Sequence, residues 1–113
     1  MQGQYFDPLH GGCLRTVVRL REGDYLIRGV YGSDETPTGG AWHARIAVLA
    51  RDAAGAELDV DFAGKPAKRP RHMAARFDAA AQVIRWSDGN VWTRLHAHPS
   101  QTLAPPRGSS RLA

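Results

Sequence analysis

The first residues of interest lie near the start of the chain. In Tyr5-Phe6-Asp7-Pro8-Leu9-His10-Gly11-Gly12-Cys13-Leu14-Arg15, a carboxylate, an imidazole and the single thiol fall within seven residues. A thiol becomes a nucleophile when a neighbouring imidazole or backbone dipole lowers its pKa, and a carboxylate such as Asp7 can orient that imidazole. The spacing of Asp7, His10 and Cys13 matches no catalytic signature, however. A plainer reading is that Asp7-Pro8 starts a turn, Gly11-Gly12 bends the chain into a strand, and Cys13 is a small core residue. These three remain the candidate catalytic set, and the residues lean towards a protein that is not an enzyme.

Other chemical groups are weaker. Asp34 with Glu35, and Asp59 with Asp61, are carboxylate pairs of the kind that hold hard cations or divide acid and base duties. The alternation around Asp59 and Asp61 puts both on an outward strand face, near arginines. His96 and His98 share a face at i and i+2 and offer two nitrogens to a metal, with no third ligand nearby. No glycine-rich phosphate loop, HExxH, GxSxG or dinucleotide fingerprint occurs. No metal and no cofactor is expected.

Aromatic and basic residues are better placed for binding. Tyr25, Tyr31, Trp42 and Trp86 fall in predicted strands and are candidates for a ligand platform at a barrel mouth. Trp92, flanked by Arg85 and Arg94, is the best candidate for an exposed aromatic surface. Lys65, Lys68, Arg69 and Arg71 cluster in GKPAKRPRH, a run able to meet phosphates, an acidic protein face or a membrane surface.

The elements that must carry these residues are short. The chain has 113 residues, 15 Lys+Arg against 11 Asp+Glu, 42% hydrophobic residues and one Cys. That is one domain, burying roughly 65% of the surface its unfolded chain exposes. One Cys excludes an internal disulfide, and no apolar run approaches the ~20 residues of a membrane-spanning helix. MQGQYFDPLH lacks a basic head before an apolar stretch, so no signal peptide is expected and the default address is intracellular, soluble and cytoplasmic. The charge of +4 separates into arginines that alternate with apolar residues, the basic loop 65–71, and a tail carrying Arg107 and Arg111 with no acidic residue.

Period two dominates. In LRTVVRLR, Leu14, Thr16, Val18 and Leu20 share one face, and Arg15, Arg19 and Arg21 the other, as in a half-buried strand. In YLIRGVYG, Tyr25, Ile27, Gly29 and Tyr31 oppose Leu26, Arg28 and Val30. AWHARIAVLA sets Trp42, Ala44, Ile46 and Val48 on one side; ELDVDFA does the same with Leu58, Val60 and Phe62, and Met73, Ala75 and Phe77 repeat the pattern. About seven strands at this spacing form an antiparallel meander in chain order. Its apolar face must be covered, so the expected fold is all-β, a meander closed as a barrel, with a flattened two-sheet sandwich as the alternative. The barrel is expected to occupy 1–95, with a lead-in at 1–13, and 96–113 is expected to be a Pro-rich flexible tail.

QVIRW and VWTRL flank Ser87-Asp88-Gly89-Asn90, a leading hairpin signal because primed turns need positive φ. An even loop puts Ile84, Trp86, Val91, Thr93 and Leu95 inward; an odd, bulged loop sends Trp92 inward with Trp86. Residues 20–28 align without gaps on 86–94, which shared hairpin demands explain as well as duplication does. The segment Ile84-Arg85-Trp86-Ser87-Asp88-Gly89-Asn90-Val91-Trp92-Thr93-Arg94 resembles the terminal hairpin of small β-domains in uncharacterised proteins of eukaryotic microbes, which end in I-x-W-x-D/N-G-x-x-W-x-R. The resemblance covers mainly 83–94 and implies a compact β-domain with no catalytic residue. In general layout the chain also resembles ligand-holding up-and-down barrels of the calycin kind.

The leading functional expectation is a barrel that docks on an acidic protein partner or larger assembly. Its contacts would be Lys65, Lys68, Arg69, Arg71, Arg85, Trp92 and Arg94, with single-stranded nucleic acid as a subsidiary partner. The alternatives are a small-ligand or glycan binder using Trp and Tyr at the barrel mouth, and a small enzyme using Asp7, His10 and Cys13.

Overall fold

The computed structural model describes residues 1–32, 37–65 and 70–96. Asp34, Glu35, Lys68, Arg69, His98 and the tail beyond His96 lie outside them. Eight strands follow one another: β1 (Gly3–Phe6), β2 (Arg15–Arg21), β3 (Asp24–Gly32), β4 (Pro37–Asp52), β5 (Gly55–Asp61), β6 (His72–Asp78), β7 (Val83–Trp86) and β8 (Val91–Arg94). Each pairs antiparallel with the next, and β1 returns to β8 through Tyr5 opposite Arg94 and Phe6 opposite Thr93. The meander is therefore closed as a barrel, and the flattened sandwich, the alternative fold, is not formed. Among the described residues no helix is long and apolar enough to cross a membrane.

The strand beyond the expected set is β1, inside the segment read as a lead-in. Four residues are too few to show a period, and β1 exists because closure offers it a partner on both sides. Immediately after it, Asp7 caps a single 3-10 turn over Pro8–His10 by accepting the Leu9 N–H at 2.9 Å.

Inward faces of β4 to β6 are those the alternation selects. Trp42, Ala44 and Ile46, then Leu58 and Val60 with Phe62 just beyond β5, then Ala75 and Phe77 are all buried. Small residues on three adjacent strands leave room inside for the indoles, the arrangement by which a narrow barrel is filled.

β2 is inverted relative to expectation. Arg15 and Val17 point inward at 3% and 0% exposure, while Leu14 and Leu20 are left at 39% and 47%. Strand parity is all-or-none, so the burial of Arg15 drags the whole apolar set of Leu14, Val18 and Leu20 outward. The partners that make this tolerable are described below. β3 follows expectation for Tyr25, Ile27 and Gly29, but its register shifts between Val30 and Gly32, and Tyr31 emerges at 37% exposure.

The terminal hairpin takes the odd loop. Ile84 faces Trp92 and Arg85 faces Val91, leaving a bulged turn in which Gly89 adopts φ 93° and donates its N–H to Trp86 O at 3.0 Å. Trp92 is consequently buried with Trp86, and Leu95 is exposed. Gly23, which aligns with Gly89, also takes positive φ, as shared turn demands require.

On the outside, arginines meet carboxylates across neighbouring strands. Arg45 pairs with Asp24, Arg76 with both Asp52 and Glu57, Arg71 with Asp61, and Arg85 with Asp78. Such exposed pairs contribute little individually, but they satisfy most of the strand-face charge that the composition made conspicuous.

Candidate functional site at one end of the barrel

One end of the barrel is built from the far ends of β1, β3, β5 and β7 and the near ends of β2, β4, β6 and β8. An aromatic run crosses it. Trp42 and Phe62 have ring centroids 6.4 Å apart, Phe62 and Trp86 5.7 Å, and Trp86 and Trp92 4.7 Å, all tilted. Tilted contacts at these separations are favourable beyond their area burial. Trp42 is seated on the bare Cα of Gly29, where an added Cβ would lie 2.5 Å from Trp42 Cζ2. Only glycine lets the indole lie so close to β3.

Arg15 enters this aromatic set from β2. Its guanidinium carbon is 5.0 Å from the Trp42 ring centre and 5.7 Å from that of Trp92. Nη1 donates to Cys13 O at 2.6 Å and Nη2 to Asp7 Oδ2 at 3.4 Å. Asp7 is itself only 4% exposed, and its Oδ1 also accepts from the side-chain amide of Asn90 at 3.0 Å. Asn90 Oδ1 in turn accepts the Val91 N–H at 2.9 Å. A buried charge is stable only if paired and hydrogen-bonded, and this cluster supplies both conditions, with cation–π contacts added. That is why β2 turns Arg15 inward.

The cluster surrounds a small cavity of about 50 Å³, whose lining includes Asp7, Arg15, the four aromatic rings, His10, Lys65, Asp88 and Asn90. Lys65 extends its ammonium over Trp42, 4.9 Å from the ring centre, and lies 6.0 Å from that of Tyr31. The buried donors without a hydrogen-bond partner among the described residues include the indole N–H groups of Trp42 and Trp86. A buried donor without an acceptor forfeits the full cost of its desolvation, on the order of 1–3 kcal/mol.

Of the residues singled out from sequence, Trp42 and Trp86 meet in this site, and Tyr31 stands beside Lys65. Tyr25 faces the opposite end, where a separate cavity of about 200 Å³ is lined by Tyr25, Val48, Arg51, Ala56 and Phe77. Trp92, expected to offer an exposed surface, is buried at 5% exposure, because the odd turn sends it inward. Of the basic cluster, Lys65 lies over Trp42 and Arg71 is held by Asp61 at 2.9 Å, while Lys68 and Arg69 lie outside the described residues. Arg85 is engaged by Asp78 and Arg94 by Gln82.

Of the Asp7, His10 and Cys13 set, the structure shows the carboxylate engaged elsewhere and the thiol buried. Asp7 is directed to Arg15, Asn90 and Leu9, and Cys13 is buried at 1% exposure. Asp59 and Asp61 do face outward, against His72 and Arg71. No group of three or more potential metal ligands occurs among the described residues. Sequence reasoning missed Arg15, Phe62 and Asn90 as site residues. The available signal was that Cys13, Arg15 and Val17 have the same parity, as do Tyr5 in the adjacent strand and Asp7 just beyond its end.

No protein-family model, curated protein or solved structure matches the chain. The site must therefore be read from its own chemistry.

Proposed function

We propose that the protein is a small-ligand-binding barrel whose site is the Trp42, Phe62, Trp86, Trp92 and Arg15 end. The observation that carries this reading is the hydrogen-bond balance of the cavity. The Asp7 oxygens and the Asn90 carbonyl are engaged, whereas two buried indole N–H groups are not. Native interiors rarely leave such donors unmet, and a ligand bearing acceptor atoms supplies what the chain does not. An eight-stranded barrel is also at the size where the interior is either filled by side chains or left with room for one small ligand. A cavity of about 50 Å³ has the room of roughly three or four waters, so the ligand is small or inserts only its head.

The test is a screen of the full chain, with the indole N–H resonances as readout, against organic acids, sugars, nucleosides and amines. A binder that moves the Trp42 and Trp86 signals, and that Trp86→Phe weakens while the fold persists, is the expected result. If every class leaves both indoles unmoved, the reading fails. The docking alternative draws less support, since Arg71, Arg85 and Arg94 already have partners and Trp92 is inside. The enzyme alternative draws less support, since Asp7 is engaged by Arg15 and Asn90 and Cys13 is buried.

A further inference from the structure

We propose that the opposite mouth of the barrel is a second binding site, for a small anionic amphiphile: an apolar ring or short chain that carries one carboxylate. The site is separate from the aromatic end and does not depend on it. The cavity of about 200 Å³ there is walled by Tyr25, Val48, Ala56, Phe77 and Ala79. An apolar cavity of about 150 Å³ holds benzene, so this one has room for a ring or a chain of about six carbons.

Strand register selects the charge at this mouth. The pairing of β4 with β5 shifts between Val48 and Ala50, which sets Arg51 opposite Ala56. Residues directly opposite share a face of the sheet, so Arg51 stands on the inner side of the rim with the buried Ala56 and lines the cavity. Arg94 is opposite the fully buried Tyr5 and is inward for the same reason. Its Nη1 donates to the neutral Gln82 Oε1 at 2.8 Å, and its buried Nε has no partner among the described residues. Neither guanidinium is ion-paired with a described residue. Burial, and after it Arg94 and Arg51, lower the pKa of the Met1 amino group, which also lines the cavity, so both cations act on the same mouth.

The carboxylates of this end are committed elsewhere or stand apart. Asp52 borders the cavity, but both its oxygens accept from Arg76 Nη2, at 3.0 and 3.1 Å, and its Oδ1 also takes the Ala54 and Gly55 N–H groups. Glu57 shares Arg76 on the outer face. Asp24 is held by Arg21 and Arg45, and Asp78 by Arg85. Glu22 is exposed in the turn after β2, outside the lining, where water and salt screen it. The inner rim is therefore cationic above an apolar wall. An anionic head gains charge-assisted hydrogen bonds there while its apolar body leaves water, and a cationic head meets like charge.

The experiment follows the backbone amide and indole resonances of the labelled full chain during titration at constant ionic strength. The probes are sodium phenylacetate, sodium hexanoate, 1-hexanol, hexylammonium chloride and sodium acetate. Phenylacetate, hexanoate or both are expected to give saturable shifts centred on Tyr25, Val48, Ala56 and Ala79. Hexanol, hexylammonium and acetate should bind more weakly, lacking the charge, its sign and the apolar body respectively. Arg51→Gln should weaken the carboxylate about tenfold, the effect of losing one charge-assisted contact. Arg51 is exposed, so its replacement leaves the fold intact. Silence towards both amphiphilic carboxylates, or undiminished binding to Arg51→Gln, overturns the proposal. So does an affinity for hexanol, hexylammonium or acetate that equals theirs. Shifts confined to the Trp42 and Trp86 indoles put the carboxylate at the aromatic end and overturn it as well. The aromatic site is judged by those two indoles alone, so failure of one site is told apart from failure of the other.

Discussion

The side-chain amide of Asn90 donates to Asp7 Oδ1 at 3.0 Å across 83 residues of chain, tying the last hairpin turn to the end of the first strand. Through Asp7 the same contact reaches Arg15, so the two segments that close the barrel also hold its one buried cation in place among the described residues. Closure and site construction are thus a single piece of chemistry.

Removing either partner should have unequal effects. Asp7→Ala leaves Arg15 buried without its counter-charge and is expected to cost about 3–5 kcal/mol, the range for breaking a buried pair. Asn90→Ala removes one hydrogen bond to a carboxylate that keeps Arg15, and should cost about 1–2 kcal/mol. Denaturant unfolding of both variants checks the order. Equal losses would mean that Asp7 acts only through its contact with Asn90.

Gly29→Ala tests how Trp42 is positioned. The new Cβ would lie 2.5 Å and 2.6 Å from two indole carbons, so the ring must move, at a cost of about 1–3 kcal/mol. The Trp42 indole resonance should shift with it. In a Trp42→Phe background the same alanine should cost less, and a double-mutant cycle measures the difference. Full additivity would place the strain elsewhere.

Acid should destabilise the protein through its exterior pairs. The Arg71 guanidinium, helped by the Ala63 N–H, holds Asp61 down to about 2, and the carboxyls of Asp24, Asp52 and Asp78 are lowered by Arg45, by Arg76 and by the Ala81 N–H respectively. A carboxyl whose folded pKa is depressed stabilises the fold fully above its unfolded value, near 4, and loses that contribution as pH falls towards the folded value. Melting temperature should therefore decline between about pH 4 and pH 2. Asp61→Asn should flatten that decline. An unchanged slope would show that Asp61 and Arg71 do not interact in solution.

Cys13 should be inert in the native protein. It is 1% exposed, so a thiol reagent should label it at the rate of unfolding, rising across the denaturation transition. Fast, pH-dependent labelling under native conditions would revive the nucleophile reading of Asp7, His10 and Cys13.

By itself the sequence determined the fold class and most of the wall. Period-two alternation in 42–48 and 58–62, repeated in 73–77 where the Ala content also leaves room for a short helix, indicates strands with one apolar face, and such strands in series must close or fold over to cover it. It also marked the 83–94 hairpin and the two tryptophans that meet in the site, Trp42 and Trp86. It could not assign parity to β2 or to the last turn. Leu14, Val18 and Leu20 look like the better inward set as long as Arg15 is judged alone. Only when β1 closes against β8 do Asp7, the Cys13 carbonyl, Trp42 and Trp92 converge on that guanidinium and make its burial affordable. Likewise one extra residue in the bulged turn at Gly89 decides that Trp92 lies inside. Parity is a long-range property, because a single slip reverses every side chain of a strand and the energy that chooses between the two faces comes from partners distant in the chain.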